Sequence, residues 1–357
     1  MKSPVFASRF SRAIIAFSQL YLAGLSAWLA AYLLRGDWGG LLTPLNALAH
    51  LLFLPLPLAL LAGLVYRRRL LLAAGLLVAL AGLIAWGGLF LPGPQRAAAA
   101  RSTGAPTLRV LTFNLFGYNF DTHAVLDVIR TENPDVAVFQ ELNPAMAAAL
   151  RSELGTAYPY QVLDAQTGVT GMGAISKIPL QLAADLKLDS DLKLAADLQT
   201  AAELPPLGWV GVPQALDLSW QGQTVRLVNF HMTTPGRLNA TSLQQRYPYR
   251  QQQAAALAAY AAQADLPIVA AGDANSASLN DAYRTIAAGG LRDAWQEAGF
   301  GFGFTFPRHL GAVSPAWMTR IDHIFISAEW GLAGVRLADR AGGSDHRALL
   351  AELVLSP

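Results

Sequence analysis

Within the first 91 residues lie three stretches, 13–34, 41–66 and 70–91, that contain no Asp, Glu, Lys or Arg. They constrain the fold more than any other feature, because about 20 helical apolar residues suffice to cross a bilayer's hydrocarbon core. Each stretch reaches that length, so three transmembrane helices are expected, the second interrupted by Pro44, Pro55 and Pro57. Small residues at 26–30 would allow the first to be read as a cleaved signal. Two further apolar stretches follow it, so the expectation is an anchor. His50 falls inside the second stretch and reads as a neutral histidine bonded to a neighbouring helix or lying near an interface.

Charge is divided along the chain. Residues 1–107 hold nine basic side chains against the single acid Asp37, a net +8, and the remaining 250 residues carry −6, for a total of +2. The basic residues sit where the positive-inside rule gives them meaning. Lys2, Arg9 and Arg12 precede the first stretch, and Arg67, Arg68 and Arg69 separate the second from the third. Both groups are expected in the cytoplasm, and three crossings then leave everything after residue 91 outside it. There is no cysteine, which excludes disulfides, thiolate nucleophiles and thiolate metal sites.

Residues 92–107, with Pro, Gly and an Ala run but no periodicity, read as a linker. A globular domain of 108–357 follows. Residues 108–114 alternate as a strand. Residues 122–131 read as a helix with Thr122 as N-cap, and 136–139 as a fully apolar strand. Asn143 and Pro144 open another helix, as N-cap and first helical residue. Short strands follow over 171–175, 209–220 and 225–230, with Asp185–Leu188 and Asp191–Leu194 repeating as a hairpin. An Ala-rich helix over 244–264 precedes the apolar strand 267–271, and a short helix follows Asn280. Strands over 324–327 and 348–355 complete the domain.

Many of these strands end in a residue able to hold a metal or a phosphate: Asn114, Glu141, His231, Asp273 with Asn275, Asp322, and Asp345 with His346. Rigid strands position side chains that the loops leave accessible. In Gly272-Asp273-Ala274-Asn275, alternate residues of an extended segment point the same way, so a carboxylate and a carboxamide face one point. Singly, each residue has a plain structural reading: Asn114 and Asp273 as turn residues, His231 as a core histidine, Asp322 as partner of Arg320. Six coincidences at strand ends favour a shared site.

The ordered set Thr112-Phe113-Asn114, Gln140-Glu141, Asn229-Phe230-His231, Gly272-Asp273-Ala274-Asn275, Arg320-Ile321-Asp322-His323 and Ser344-Asp345-His346 resembles the endonuclease/exonuclease/phosphatase superfamily from about residue 108 to 355. That superfamily includes pancreatic-type DNases, abasic-site endonucleases, inositol-polyphosphate 5-phosphatases and neutral sphingomyelinases. Ala274 stands where an aromatic is frequent, and Lys177 where Arg is usual. The resemblance implies an α+β fold, a four-layer α/β/β/α sandwich, and phosphoester hydrolysis by in-line attack of water. It further implies Mg²⁺ or Mn²⁺ held by Glu141, with Asn114 and Asp345 near it. Asp322 would orient His346 as general base or phosphate ligand, and Asp273 would position or deprotonate the water. Asn275 would bind a phosphate oxygen, and His231 would assist the leaving group or stabilise equatorial charge.

For the substrate, DNA is disfavoured, since its binding draws on Lys and Arg. The domain is acidic, with only Lys177, Lys187 and Lys193 as lysines. Tethering favours a phosphate carried by the membrane, because an anchored domain meets headgroups at high effective concentration. The aromatic loop Phe300, Phe302, Phe304 and Phe306, with Trp317 and Met318 nearby, is expected either to dip into the interface or to pack on a sheet edge. The arrangement is similar to bacterial membrane members of the superfamily, including a glycopeptide-resistance-associated group. That similarity implies a lipid-linked phosphate or diphosphate and no obligate protein partner. An extracytoplasmic nuclease is the alternative. An anchored binding module without catalysis is a second, and it would leave a gap in the constellation that this sequence does not have.

Overall fold

The computed structural model describes residues 4–91, 106–183, 208–307 and 318–355. The hairpin expected over 185–194, Trp317 and most of the 92–107 linker lie outside the described residues.

Helix α1 (Pro4–Arg35) is followed by two short helices, α2 (Thr43–Ala47) and α3 (Ala49–Leu52), then α4 (Leu56–Val65) and α5 (Arg69–Trp86). Helices α1, α4 and α5 pack around Leu22, Leu25, Ala59, Ala62, Leu71 and Val78. Two segments, Arg9–Arg35 and Arg69–Phe90, are long and apolar enough to cross a membrane, and only 22% of the most apolar window of each is buried. Leu20, Leu33, Leu70 and Leu77 face outward instead. The expected second span is not one helix. Pro44, Pro55 and Pro57 lack the N–H that continues a helix, so the chain turns at 53–55 and Pro55 becomes the N-cap of a ten-residue α4.

Beyond residue 106 the elements alternate: β1 (Leu108–Asn114), α6 (Thr122–Glu132), β2 (Val136–Gln140), α7 (Pro144–Leu154), β3 (Tyr160–Asp164), β4 (Met172–Ser176), β5 (Leu180–Leu182), β6 (Gly211–Trp220), β7 (Gln223–His231), α8 (Ala240–Ala262), β8 (Ile268–Asp273), α9 (Asp281–Ala288), β9 (Arg292–Asp293), α10 (Ala294–Ala298), β10 (Asp322–Ile326), β11 (Trp330–Leu337) and β12 (Leu349–Leu355). They form two six-stranded mixed sheets, ordered β11-β12-β1-β2-β4-β3 and β5-β6-β7-β8-β10-β9. The β1/β2 and β7/β8 pairs are parallel.

The sheets pack face to face with helices outside, which explains why the central strands are apolar throughout rather than alternating. On β1, Val110 enters the core between the sheets, while Leu111 and Phe113 pack with Val125, Ile129, Met146 and Leu150 of α6 and α7. On β8, Val269 and Ala271 face inward, and Ile268 and Ala270 pack with Leu257 of α8 and Ile286 of α9. Asn143 caps α7 as expected, accepting from Met146 N. Helix α6 is capped by Asp121, one residue before Thr122, through Ala124 N.

A polar seam crosses the apolar interior near the strand ends. Gln140 Nε2 donates to Asn229 Oδ1 at 2.8 Å, and Asn229 Nδ2 donates to Phe139 O, Gly173 O and Gln214 Oε1, each at 3.1 Å. Gln140 and Asn229 are fully buried. Their mutual hydrogen bonds offset the desolvation of the amides and tie β2 of one sheet to β7 of the other.

Arg320 does not pair with Asp322. Its Nη1 lies 2.8 Å from Asp293 Oδ2, and Asp293 also accepts from Tyr283 Oη at 2.7 Å and Trp295 N at 2.9 Å. Burial works against charge on Asp293, but the Arg320 guanidinium and His323 overcome it and hold the carboxyl below the usual carboxylate range. A depressed folded pKa contributes stability that is present above the unfolded value, about pH 4, and is lost as pH falls below it. Asp293→Asn is expected to lower stability at pH 7 by about 3 kcal/mol, because it leaves a buried guanidinium uncompensated. It should also flatten the loss of stability between about pH 4 and pH 2. Denaturant unfolding across that range measures both effects, and an unchanged acid limb would contradict the assignment.

Candidate active site

Strand register assembles the site before any side chain is considered. Across the second sheet His231 is the partner of Asp273, and Asp273 is the partner of Asp322, so an imidazole and two carboxylates end adjacent strands in one row. In the first sheet Asn114 is the partner of Gln140. Glu141 follows with φ +57°, a left-handed conformation that costs a side-chain-bearing residue roughly 1–2 kcal/mol. The turn it makes brings the carboxylate back toward Asn114.

The rows of the two sheets meet through Asn114. Its Nδ2 donates to Glu141 Oε1 at 3.2 Å and to Asp273 Oδ2 at 3.1 Å. His231 Nε2 lies 3.5 Å from Asp273 Oδ2 and 3.9 Å from Glu141 Oε1. His346 Nδ1 donates to Asp322 Oδ2 at 2.8 Å, which directs Nε2 to within 3.9 Å of Asp273 Oδ2. Asn114, His231, Asp273, Asp322 and His346 are buried. Six of the eight expected residues therefore share one cluster. Asn275 is joined to it by its backbone, N donating to Asp273 Oδ1 at 2.7 Å, while its Nδ2 donates to Met232 O at 2.9 Å. Asp345 is half-buried and close enough for its charge to act on Glu141 and His346.

Burial sets the protonation of the cluster. Burial and then the charge of Asp322 push the Asp273 carboxyl up. Burial opposes charge on His346, yet the neighbouring carboxylates, Asp322 foremost, push it up to about 10. Burial and the charge of His346 push His231 down to about 3. At neutral pH the site thus holds one cationic and one neutral imidazole. Burial also raises Glu141, against hydrogen bonds from Gly117 N and Asn114.

These residues fit a hard divalent cation. Such ions take carboxylate and amide oxygens, and here those donors lie on rigid strand ends. One carboxylate oxygen each of Asp273 and Asp322 lies within 4.8 Å of the other and of a His346 ring nitrogen, and the two carboxylates are the part of this group that suits such an ion. Asp322 Oδ1 is buried with no hydrogen-bond partner among the described residues. A buried carboxylate oxygen in that condition is costly unless a cation or donor meets it.

Other contributors carried weaker sequence signals. Gly117 N donates to Glu141 Oε2 at 2.8 Å. Ser344 Oγ donates to Asn114 O at 2.8 Å and accepts from His346 N at 3.0 Å, so the first residue of Ser-Asp-His fastens the last loop to β1. The Phe306 ring sits 4.7 Å from that of His346. Phe300 is exposed and meets the ring of Phe90. Phe302 stacks on Phe304, and both lie against His50, with Trp86 and Phe90 beside Phe302.

Solved structures with this architecture include an endonuclease/exonuclease/phosphatase from Bacteroides vulgatus, 20% identical over 70% of this chain and 99% of that one, with TM-score 0.51. A conserved protein of unknown function from Enterococcus faecalis V583 is 16% identical over 70% and 100%, also with TM-score 0.51. The human Nocturnin catalytic domain with bound sulfate is 15% identical over 70% and 94%, with TM-score 0.50. At these identities the likeness concerns the fold, a DNase I-like sandwich. No curated protein sequence matches the chain. Residues 111–346 match the sequence profile of the Endonuclease/Exonuclease/phosphatase family, a span running from β1 to the last site histidine. With that match over most of its length and the strand-end site intact, the chain belongs to the Endonuclease/Exonuclease/phosphatase family and is a metal-dependent phosphoester hydrolase.

Proposed function

We propose that the protein is a membrane-anchored phosphoesterase that hydrolyses a phosphoester or diphosphate of a lipid-linked or membrane-proximal substrate outside the cytoplasm. Its parts would be an anchor over 1–91, a linker over 92–107 and a catalytic domain over 108–357. The observation that carries this reading is the seat of the helical segment on the active-site turn. Arg250 donates from Nη2 to Thr43 Oγ1 at 3.0 Å and from Nη1 to Asn275 O at 3.2 Å. If α1 and α5 span a bilayer, with α3 and α4 as the second crossing, a site one side chain away from the α1–α2 loop lies near the headgroups. The basic ends of the bundle, Arg9 with Arg12 and Arg67 to Arg69, belong to the helix ends away from that loop. This supports a cytoplasmic N-terminus.

In this reading Glu141 would hold Mg²⁺ or Mn²⁺, with Asn114 and Asp345 near it. The bound ion supplies charge neutralisation at the phosphoryl oxygens. His346, kept cationic by Asp322, binds a phosphate oxygen rather than accepting a proton. Asp273 orients the attacking water and, in its ionised form, takes its proton, the raised pKa making that form the stronger base. His231 is neutral and donates from Nε2 to charge developing on the transferred group. The Asn275 amide keeps one N–H beyond its bond to Met232 O for a further phosphate oxygen.

The full chain in lipid nanodiscs with Mg²⁺ is expected to hydrolyse a polyprenyl phosphate or diphosphate, or a phospholipid, faster than single- or double-stranded DNA. Glu141→Ala and His346→Ala should each lower kcat/KM by about 10²- to 10⁴-fold. A wild-type chain inactive on all three substrate classes with either metal would sink the reading, and DNA as the best substrate would replace it with a nuclease.

Mn²⁺ at a hundred times its Kd should stabilise the wild-type chain by about 2.7 kcal/mol. Thermal unfolding should register this as a shift that Glu141→Gln loses and EDTA reverses. For orientation, a reporter fused after Pro357 that works only in the cytoplasm should stay silent.

A further inference from the structure

Asp37 is the only acidic residue before the catalytic domain, and it is fully buried. Its Oδ1 accepts from Asn46 Nδ2 at 2.8 Å and from Asn280 Nδ2 at 2.9 Å. Its Oδ2 accepts from Asp281 N at 3.0 Å, and its own N donates to Asp281 Oδ2 at 2.8 Å. The α1–α2 loop approaches closely enough that two positions demand glycine. At Gly36, φ +56°, a Cβ would lie 2.2 Å from Asp281 Oδ1, and at Gly40, φ +98°, 2.4 Å from Leu243 O.

This contact reaches the catalytic turn by two routes. Asn280 stands at the N-cap position of α9, but its side chain makes no cap bond there. The Asp37 carboxylate takes the Asp281 N–H instead, satisfying an orphan donor at the helix's positive end. Asn280 is thereby free to brace the turn, accepting from Ala277 N at 2.8 Å and donating to Thr43 O at 2.9 Å. The second route is Arg250, 1% exposed, which joins Thr43 Oγ1 to the carbonyl of Asn275. Asn275 sits at φ +47°, a left-handed conformation that its neighbours must hold. Asp273 and Met232 hold its amide groups, and Arg250, itself bonded to Thr43, holds its carbonyl.

We propose that the 36–46 segment, the α1–α2 loop with the start of α2, is a positioning element of the active site. Asp37 acting through Asn280, and Thr43 acting through Arg250, hold the 274–280 turn so that Asn275 is aimed at the substrate. The catalytic domain then reaches full turnover only with its helical segment docked. This rests on the reading of Asn275 as a phosphate-binding residue.

The test uses the full chain in nanodiscs with Mg²⁺ and bis(p-nitrophenyl) phosphate as a soluble probe, so that lipid access plays no part. Thr43→Val keeps the shape and removes the hydroxyl, and Thr43→Ser restores it. Since small misplacements cost large factors in rate, Thr43→Val is expected to lower kcat about tenfold with KM within about twofold, and Thr43→Ser to stay within about twofold of wild type. In Asp37→Ala, amides of 274–281 should exchange hydrogen roughly tenfold faster while those of β8 and β10 do not change. Wild-type kcat in Thr43→Val, a loss that Thr43→Ser fails to restore, or wild-type exchange in Asp37→Ala would each overturn the proposal. Should the wild-type chain fail to turn over this probe or any lipid phosphate, the functional reading falls. The exchange result then decides by itself whether the loop holds the turn.

Discussion

Two carboxylates side by side in a dry interior impose the constraint on which this site depends. Asp273 and Asp322 are register partners on neighbouring strands, and both are buried. Their ligand atoms lie within 4.8 Å of each other, and two full charges at that separation would repel by roughly 3 kcal/mol even at an effective dielectric of 20, which adds to burial in pushing the Asp273 carboxyl up. The rest of the cluster is a response to that charge. His346 carries a compensating proton, Asn114 and the Asn275 backbone donate to Asp273, and one oxygen of Asp322 is left for a cation or donor. The sandwich around the cluster holds these groups together. The Gln140–Asn229 seam ties the two sheets together a residue or two behind the reacting groups. Their separation is therefore set by buried hydrogen bonds as well as by apolar packing.

The helical segment packs directly on the α+β domain. Its aromatic side chains continue into the catalytic domain, from Trp28 through Phe53 and Trp86 to Phe302 and Phe304. Beside this contact lies the Asp37 clamp, polar and fully buried. Apolar contact supplies adhesion without fixed orientation, whereas buried hydrogen bonds have geometric demands. Together they explain how a bundle and a sandwich keep one relative arrangement. At the same contact Phe302 and Phe304 meet His50, and Phe302 meets Trp86, while Phe306 lies against the site histidine.

Much of the site was legible because its residues terminate apolar strands, and strands are the elements whose ends converge. Asn114, Glu141, His231, Asp273, Asp322 and His346 could be named from that pattern and their order. Asp345 and Asn275 were named with them but stand at the margin, Asn275 with its amide already engaged by Met232 O. The same motifs misled where a neighbour in sequence is not a neighbour in space. Arg320 precedes Asp322 by two residues yet pairs with Asp293 on another strand. Gln140 and Asn229 carry the same motif signal as Glu141 and His231 and serve the sandwich's interior. The proline-broken second stretch was legible as broken, though not as three separate helices.

Sequence alone was enough for the elements and for what stands at their ends: apolar helices before an α+β domain, with carboxylates, amides and imidazoles where apolar strands stop. These follow from composition and periodicity, which act over a few residues. Tertiary structure alone decided partners. It paired Asp273 with Asp322, set the bonding of His346, and seated Asp37 and Thr43 on a turn more than 200 residues away. Such contacts depend on strand register and on which surfaces meet. An isolated buried Asp in a hydrophobic segment carries no sign of the helix it will cap.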